Sequence, residues 1–245
     1  GRLELEPRPF SLRELLEETL RGLWVRAEQK GLELILDCPG EVPNRVVGDP
    51  VRLRQIVTNL VGNAIKFTDR GWIRLAVEPG SNHTGRETLH FAVEDTGFGV
   101  PEELRSEIFE QFTQLRADGS PEKGGTGLGL AICARLVEMM DGEIRAEERE
   151  GGGARFAFTA VLDVLPDGAD ETPNLSGRSV LLGCPLLEAR RALARTLRGH
   201  GAEVTALASA SEVGRELQSA SGGARFDLVL LDDPLGDPDA FFSDL

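Results

Sequence analysis

The segment from Asp49 to Thr68 constrains the fold of this chain more than any other stretch. Its apolar residues recur at three- and four-residue steps, which is the spacing of one wide face of an amphipathic helix. Asp49 suits the N-cap of such a helix and Pro50 suits its first turn. The apolar residues of the predicted face are Leu53, Ile56, Val57, Leu60, Val61, Ala64 and Ile65.

The opposite face of this predicted helix is polar. Asn59, Asn63 and Lys66 follow one another at i, i+4 and i+7, so they line up along it. Asparagine is a poor helix former because its amide competes for backbone partners. A polar helix face taken alone is most often simply solvated, but this one also suits a site for a metal ion and phosphate groups. The motifs further along the chain decide between the two interpretations.

The remaining pattern predicts an α+β fold with helices layered on one face of a mixed β-sheet over residues 11–163. Ser11 is expected to cap a first helix that runs to about Lys30, and Gly129 to open a last helix that ends near Met140. A short acidic helix is expected around 101–109. The expected strands are 32–37, 45–47, 72–77, 88–94, 143–149 and 154–162.

Residues 164–177 have the composition of a linker. Beyond it, strand and helix patterns alternate from 178 to 245 in the order βαβαβ. That alternation predicts a partial α/β unit with a parallel, flavodoxin-like sheet.

Composition excludes several classes of function. The net charge of −14 argues against nucleic acid as a partner, since the arginines are scattered and form no basic patch. No apolar run reaches the roughly 18 residues that a membrane span needs. Cys38, Cys133 and Cys184 are far apart and odd in number, so we interpret them as reduced, buried side chains.

Two glycine motifs carry candidate chemistry. The run from Gly124 to Gly129 stands just before a predicted helix, where backbone N–H groups and the helix dipole favour a phosphate, although a glycine run alone more often marks a mobile loop. A Rossmann site is disfavoured because this run follows a polar loop instead of a strand. Asp95 ends a strand ahead of Gly97 and Gly99, and its carboxylate could accept a hydrogen bond from the amino group of adenine. A plain turn is the alternative.

These motifs occur in a fixed order that resembles the ATP-binding catalytic domain of sensor histidine kinases. The order is Asn-x-x-x-Asn-x-x-Lys, Asp-x-Gly-x-Gly, Phe109-x-x-Phe112 and Gly-Gly-Thr-Gly-Leu-Gly-Leu. The larger fold is shared with gyrase and the Hsp90 chaperones, and the architecture is similar to that of the BarA/GacS group of hybrid kinases. Phe109 and Phe112 could pack together as the hinge of the loop that follows them, but singly each is interpreted as a core aromatic.

The resemblance implies ATP and Mg²⁺ as cofactors and assigns roles to the motif residues. Asn63 would bind Mg²⁺ through its amide oxygen, Asn59 and Lys66 would lie near the phosphates, and Asp95 would accept from adenine. Gly97 and Gly99 would shape the purine pocket. Residues 113–126 would form a lid over ATP. The lid and the start of the following helix would contact the nucleotide through Lys123, Gly125, Thr126, Gly127, Leu128 and Gly129.

The resemblance also implies phosphotransfer instead of hydrolysis. The hydrolytic relatives place a glutamate four residues before the metal-binding asparagine, and here that position is Asn59, which has no basic carboxylate. We therefore predict a protein histidine kinase. A chaperone- or topoisomerase-like ATPase is disfavoured, and a nucleotide-binding docking module without catalytic output is the remaining alternative.

The phospho-accepting histidine is expected outside this sequence. His83, His90 and His200 do not lie on a helix with a following acidic residue. Residues 1–10 resemble the exit from a helical, histidine-containing dimerisation domain. By the resemblance, the full protein would be a membrane-anchored homodimer with this part in the cytoplasm. A response regulator or a histidine phosphotransfer protein would act downstream.

Residues 178–245 resemble the start of a receiver domain. Asp232 stands where a receiver's phospho-accepting aspartate ends its third strand. However, Cys184 and Pro185 occupy the positions of the acidic pair that binds Mg²⁺ in receivers. Without those carboxylates the cation loses its main ligands, so the resemblance implies a degenerate receiver that serves as an interaction or spacer module.

Overall fold

One mixed sheet forms the frame of the first part of the molecule. The computed structural model describes residues 4–83, 85–113, 127–166, 174–219 and 226–232. The chain divides into two compact units, residues 1–168 and residues 169–245. Each unit is considered by itself.

The described residues of the first unit contribute seven strands to this sheet. They are β1 (Arg8–Ser11), β2 (Leu32–Asp37), β3 (Arg45–Gly48), β4 (Gly71–His83), β5 (Arg86–Asp95), β6 (Ile144–Glu148) and β7 (Ala154–Val164). The order across the sheet is β1-β3-β7-β5-β4-β2, and β6 pairs with β7 beside this path. The β2–β4 pair is parallel and the other pairs are antiparallel. The predicted mixed sheet is confirmed.

In the described part of this unit, three helices pack against one face of the sheet, namely α1 (Leu12–Glu28), α2 (Pro50–Phe67) and α3 (Gly129–Met139). Ser11 caps α1 by accepting from the Glu14 amide, and Asp49 caps α2 by accepting from the amides of Val51 and Arg52. The predicted apolar face of α2 is buried throughout, since each of its seven residues is at most 2% exposed. In the same core, the rings of Phe91 and Phe158 stack 4.6 Å apart.

The other face of the sheet carries an ion-pair network. Arg74 bridges Asp37 and Glu94, at 3.4 and 2.9 Å, and Arg155 bridges Glu94 and Glu147. Because Asp37 and Glu94 are buried, the pairing offsets part of the cost of removing their charges from water. The helices and this network therefore lie on opposite faces of the sheet.

Two details differ from the sequence-based prediction. The expected acidic helix around 101–109 is instead a pair of short 3₁₀ turns, Glu102–Leu104 and Glu107–Phe109. Phe109 packs edge-on against Phe156 as a core aromatic should. The expectation was wrong for Phe112, whose side chain is 70% exposed and whose φ is +68°. The positive φ marks a turn of the backbone at Phe112, and its side chain lies outside the core.

The second unit has the predicted βαβαβ order. Its described elements are β8 (Ser179–Gly183), α4 (Leu187–Gly199), β9 (Glu203–Leu207), α5 (Ala210–Ser219) and β10 (Leu228–Leu231). The strands are parallel and lie in the order β10-β8-β9, with the buried β8 in the middle. In neither unit does a helix among the described residues have the length and apolar character to cross a membrane.

Candidate functional site

The polar face of α2 carries the three residues that the sequence predicts to bind a metal ion and phosphate groups. Asn59 and Asn63 are half-buried and Lys66 is exposed. The Lys66 ammonium lies 4.8 Å from the centre of the Phe67 ring. Phe67 in turn meets Phe98 edge-on, with ring centres 5.5 Å apart. The three predicted residues thus share the face on which the sequence placed them, and Phe67 adds an aromatic side chain at its end.

Asn59 is fixed by residues of α3. Its amide nitrogen donates to the Cys133 sulfur at 3.1 Å, and its amide oxygen would lie 2.6 Å from a Cβ atom at Gly129. Only glycine fits at position 129 without moving this amide. The contact brings the polar face of α2 against the start of α3, where the predicted glycine motif ends.

The hydrogen-bonded pair of Asn59 and Cys133 supplies no effective base. An amide is neutral and its nitrogen only donates. Burial is the main reason that the pKa of the Cys133 thiol rises to about 11, so this thiol stays protonated at neutral pH. Neither group in this pair can take a proton from water.

A backbone hydrogen bond between Phe112 and Gly127 holds the segment just before α3. Gly127 has a φ of +62°, which favours glycine, and its carbonyl accepts from the Phe112 amide at 2.9 Å. Leu128 is the half-buried N-cap residue of α3, and no side chain caps the helix there among the described residues. The first N–H groups of α3, from Gly129 onward, are therefore left for another acceptor.

Asp95 ends β5 inside the fold, with 3% of its surface exposed. Its Oδ1 accepts from the amides of Gly97 at 2.8 Å and Ala154 at 3.3 Å. Burial raises the pKa of the Asp95 carboxyl, while these amides, the Arg149 guanidinium and the Thr68 hydroxyl lower it in part. Since both amides bind Oδ1, Oδ2 is the oxygen that suits a further donor.

The glycines around Asp95 allow close backbone approach. A Cβ atom at Gly97 would lie 2.4 Å from the Phe67 carbonyl oxygen, and Gly97 therefore packs directly against the end of α2. Gly99 has a φ of +81°, and a Cβ atom there would lie 3.1 Å from the Gly153 carbonyl oxygen. These close contacts require glycine at both predicted positions. Through them the end of α2, the loop after β5 and the turn before β7 pack against one another.

Thr68 lies beside Asp95 at the end of α2, although the sequence-based prediction did not include it. Its side chain lies near enough to Asp95 to lower the carboxyl pKa. Yet its buried hydroxyl oxygen completes no hydrogen bond of normal geometry with the described residues. A buried hydroxyl without a full partner is costly unless a ligand or a water supplies one. Its position directly after α2, two residues beyond Lys66, is the signal that could have identified it.

Some predicted residues cannot be placed. Lys123, Gly125 and Thr126 lie outside the described residues, as does most of the predicted lid, while Gly127, Leu128 and Gly129 lie within them. His90 is exposed on β5 and His200 follows α4; the side chain of His83 is outside the described part. Among the described residues, no group of three or more His, Cys, Asp or Glu side chains could hold a metal ion.

Comparison with known proteins gives the relatives of the chain. The family described as histidine kinase-, DNA gyrase B- and HSP90-like ATPase matches residues 48–164. The signal transduction histidine-protein kinase BarA of Escherichia coli (strain K12) is 43% identical over 174 residues, which are 71% of this chain and 19% of BarA. The chain thus spans a small part of that relative.

Two solved structures are similar to the chain as well. Full-length ShkA in complex with AMPPNP has a TM-score of 0.75 and 32% identity, over 97% of this chain and 47% of ShkA. The catalytic domain of the histidine kinase ThkA, in a nucleotide-free form, has a TM-score of 0.52 and 30% identity, over 64% of this chain and 97% of that domain. The motif-based resemblance is confirmed: the chain belongs to the histidine kinase-, DNA gyrase B- and HSP90-like ATPase family and contains the catalytic ATPase domain of a sensor histidine kinase.

Proposed function

We propose that the first unit binds Mg²⁺–ATP between α2, the Asp95 loop and the start of α3, and donates the γ-phosphate to a histidine on a separate helical dimerisation domain. The contact of the Asn59 amide with Gly129 is the observation that carries the proposal. It brings the predicted metal and phosphate face of α2 against the N-terminus of α3, which no side chain in the described part of the chain caps.

Adenine is proposed to bind at the Asp95 end of this site. The Asp95 Oδ2 atom would accept from the adenine amino group, because the amides of Gly97 and Ala154 bind Oδ1. The incompletely bonded hydroxyl of Thr68 fits such a ligand, since a ring nitrogen or a bound water could complete its hydrogen bond. Gly97 and Gly99 would leave room for the purine.

The phosphates are proposed to bind at the α3 end. Lys66 and the first N–H groups of α3 would contact them, with Lys123, Gly125, Thr126, Gly127 and Leu128 as further proposed contacts. The Asn63 amide oxygen is a suitable Mg²⁺ ligand, and this ion commonly takes few protein oxygens beside phosphates and waters. Bound there, Mg²⁺ would neutralise charge on the phosphates. The absence of a carboxylate cluster among the described residues does not conflict with this, because the nucleotide supplies most of the ligands.

Transfer is favoured over hydrolysis by the chemistry around Asn59. Hydrolysis needs a base that activates water, and the Asn59 amide and the protonated Cys133 thiol do not provide one. ATP held in this site would therefore persist until an acceptor histidine arrives. This supports a kinase over a chaperone- or topoisomerase-like ATPase.

The remaining parts of the whole protein are proposals that rest on the resemblance of the motifs to those of hybrid sensor histidine kinases. We propose that the dimerisation domain precedes this chain and that the full protein is a membrane-anchored homodimer with this part in the cytoplasm. A response regulator or a histidine phosphotransfer protein would receive the phosphate. The second unit is proposed to be a degenerate receiver, because Cys184 follows β8 where a receiver has an acidic residue.

Replacing Asn63 with Asp tests the metal role. The new carboxylate removes the neutral amide and adds charge beside the phosphates, so we expect the affinity for Mg²⁺–AMPPNP to fall by more than about tenfold in calorimetry. Asn44→Asp is the matched control, since the Asn44 side-chain oxygen accepts from the Arg13 amide and the Ser11 hydroxyl and an aspartate can do the same. Unchanged affinity in Asn63→Asp would contradict the metal role.

Adding a helical histidine domain in trans, with γ-labelled ATP, tests the transfer step. We expect label on the histidine and little free phosphate. Nucleotide binding without any label on histidine would favour the alternative, a docking module without catalytic output. Rapid release of phosphate, at the rate of dedicated ATPases, would contradict transfer over hydrolysis.

A further inference from the structure

Arg149 lies in the turn between β6 and β7 and makes an unusual set of contacts for a surface arginine. Its Nε donates to the Asp95 carbonyl oxygen at 3.1 Å. Its two terminal nitrogens donate to the carbonyls of Glu150 at 2.8 Å and Gly151 at 3.3 Å. The guanidinium also lies 4.9 Å from the centre of the Trp72 ring. The planar fork of arginine can make these contacts at once, and lysine cannot.

The same turn contacts Asp95 at two further points. The Ala154 amide donates to the Asp95 side chain at 3.3 Å. Gly153 has a φ of +99°, and a Cβ atom there would lie 2.0 Å from the Asp95 carbonyl oxygen. The turn therefore fits closely against both the main chain and the side chain of Asp95.

Trp72 links this contact to the strand beside Asp95. Its backbone amide donates to the Thr96 hydroxyl at 3.1 Å, and its carbonyl accepts from the Thr96 amide at 3.3 Å. Trp72 is 8% exposed, so the surface on which the guanidinium rests is fixed. Arg149 is thus held on one side by Trp72 and on the other by the Asp95 main chain.

We propose that Arg149 is a positioning residue for adenine recognition, which holds Asp95 so that Oδ2 points into the purine pocket. The inference rests on the proposed function of Asp95 and extends it to a residue outside the family motifs. Each of the three guanidinium nitrogens donates to a backbone carbonyl, and the Nε–H bond goes to Asp95 itself, so the proposed role of Arg149 is to act through Asp95. Its positive charge also lowers the pKa of the Asp95 carboxyl and so favours the ionised acceptor.

ADP and IDP test this role because they differ in the purine C6 group, which is amino in ADP and carbonyl in IDP. We expect the unsubstituted chain to prefer Mg²⁺–ADP by about tenfold or more, as expected for a charged acceptor that loses its donor. In Arg149→Met this preference should fall by about threefold or more, chiefly through weaker ADP binding. The ADP preference of Arg149→Lys should lie between that of the unsubstituted chain and that of Arg149→Met. Arg145→Met is the matched control, since Arg145 lies on the same hairpin and pairs only with Glu147 among the described residues.

Each outcome of this calorimetric comparison decides something. An unchanged ADP preference in Arg149→Met, or an equal loss of ADP and IDP affinity, would overturn the positioning role. If Arg149→Met does not fold, as judged by its thermal unfolding, Arg149→Lys gives the same comparison, and an unchanged preference there would overturn the role too. If the unsubstituted chain binds ADP no better than IDP, the proposed function of Asp95 is itself wrong.

Discussion

Among single residues, Asp95 shows a conflict between stability and recognition. Burial raises the pKa of its carboxyl, and the neutral amides of Gly97 and Ala154, the neutral hydroxyl of Thr68 and the charged Arg149 offset only part of this increase. A native group with a raised pKa binds more protons than the unfolded chain does. The free energy of unfolding therefore falls as the pH rises from the ordinary value of 3.8 towards the folded-state pKa. The ionised carboxylate costs stability, which is consistent with retention for ligand recognition.

Replacing Asp95 with Asn should separate these two effects. The asparagine oxygen can still accept from the Gly97 and Ala154 amides, while the buried charge is gone, so we expect a higher free energy of unfolding at neutral pH without nucleotide. This gain in the free energy of unfolding should shrink as the pH falls from the folded-state pKa of Asp95 towards 3.8, because the Asp95 carboxyl of the unsubstituted chain then becomes neutral too. Affinity for Mg²⁺–ADP should fall about tenfold or more.

Urea unfolding at a series of pH values, with calorimetry of ADP binding, measures both effects. Asp163→Asn is the control, since Asp163 is exposed and pairs with Arg86 at the surface. A variant that is less stable than the unsubstituted chain at neutral pH, or a stability difference that does not change with pH, would contradict the charge-burial explanation.

Among the elements, α2 depends on a contact from outside its own sequence. The Lys30 ammonium, just after α1, donates to the carbonyls of Ile65 at 2.8 Å, Lys66 at 3.0 Å and Thr68 at 3.0 Å. These carbonyls lie at the C-terminal end of the helix, where the dipole favours a cation. Lys30 therefore stabilises the end of α2 that presents Lys66 and Thr68 to the site.

Removing the Lys30 ammonium should lower both the stability of the C-terminal end of α2 and the affinity of the site for nucleotide. We expect Lys30→Met to lower the free energy of unfolding by about 1 kcal/mol, a modest value because the side chain is exposed and water can replace it. Nucleotide affinity should also fall, by about threefold, since Thr68 becomes less ordered. Arg21→Met is the matched control, because Arg21 is exposed on α1 and has no ion pair with the described residues. Equal stability of Lys30→Met and Arg21→Met in urea unfolding would contradict the capping role.

The sequence could predict the local features of α2 but not the contacts between distant residues. The cap at Asp49, the apolar face and the line of Asn59, Asn63 and Lys66 are local patterns, so helical periodicity sufficed to identify them. The Asn59–Cys133 bond joins residues 74 positions apart, and Arg149 reaches Asp95 across 54 positions. Such partners depend on how the elements pack, and no local spacing encodes them. Phe112 was misassigned as a core aromatic, and its backbone contact is likewise non-local, because its amide donates to the Gly127 carbonyl.

At the scale of the whole molecule, the two units divide the chemistry unequally. Asp232 follows β10 and Cys184 follows β8, and these strands are parallel neighbours, so the two side chains meet at the same sheet edge. The Cys184 thiol donates to the Asp232 carboxylate at 3.3 Å. Burial, followed by this hydrogen bond and the Asp232 charge, raises the pKa of the thiol to about 11, so it stays neutral. Arg190 donates to the carbonyls of Cys184 and Pro185 at 2.6 and 3.1 Å, which holds this loop in place.

This edge should therefore fail to support phosphorylation of Asp232. A neutral thiol is a poor ligand for Mg²⁺, which prefers oxygen, so the cation needed to offset charge in acyl-phosphate formation has no carboxylate at position 184. We expect no phosphate on Asp232 after incubation with acetyl phosphate and Mg²⁺, as measured by mass spectrometry. The first unit should bind Mg²⁺–ADP in the same sample, which shows that the chain is folded. Phosphate that appears on the unsubstituted chain and disappears in Asp232→Asn would instead identify a working receiver and contradict the assignment of the second unit as an interaction or spacer module.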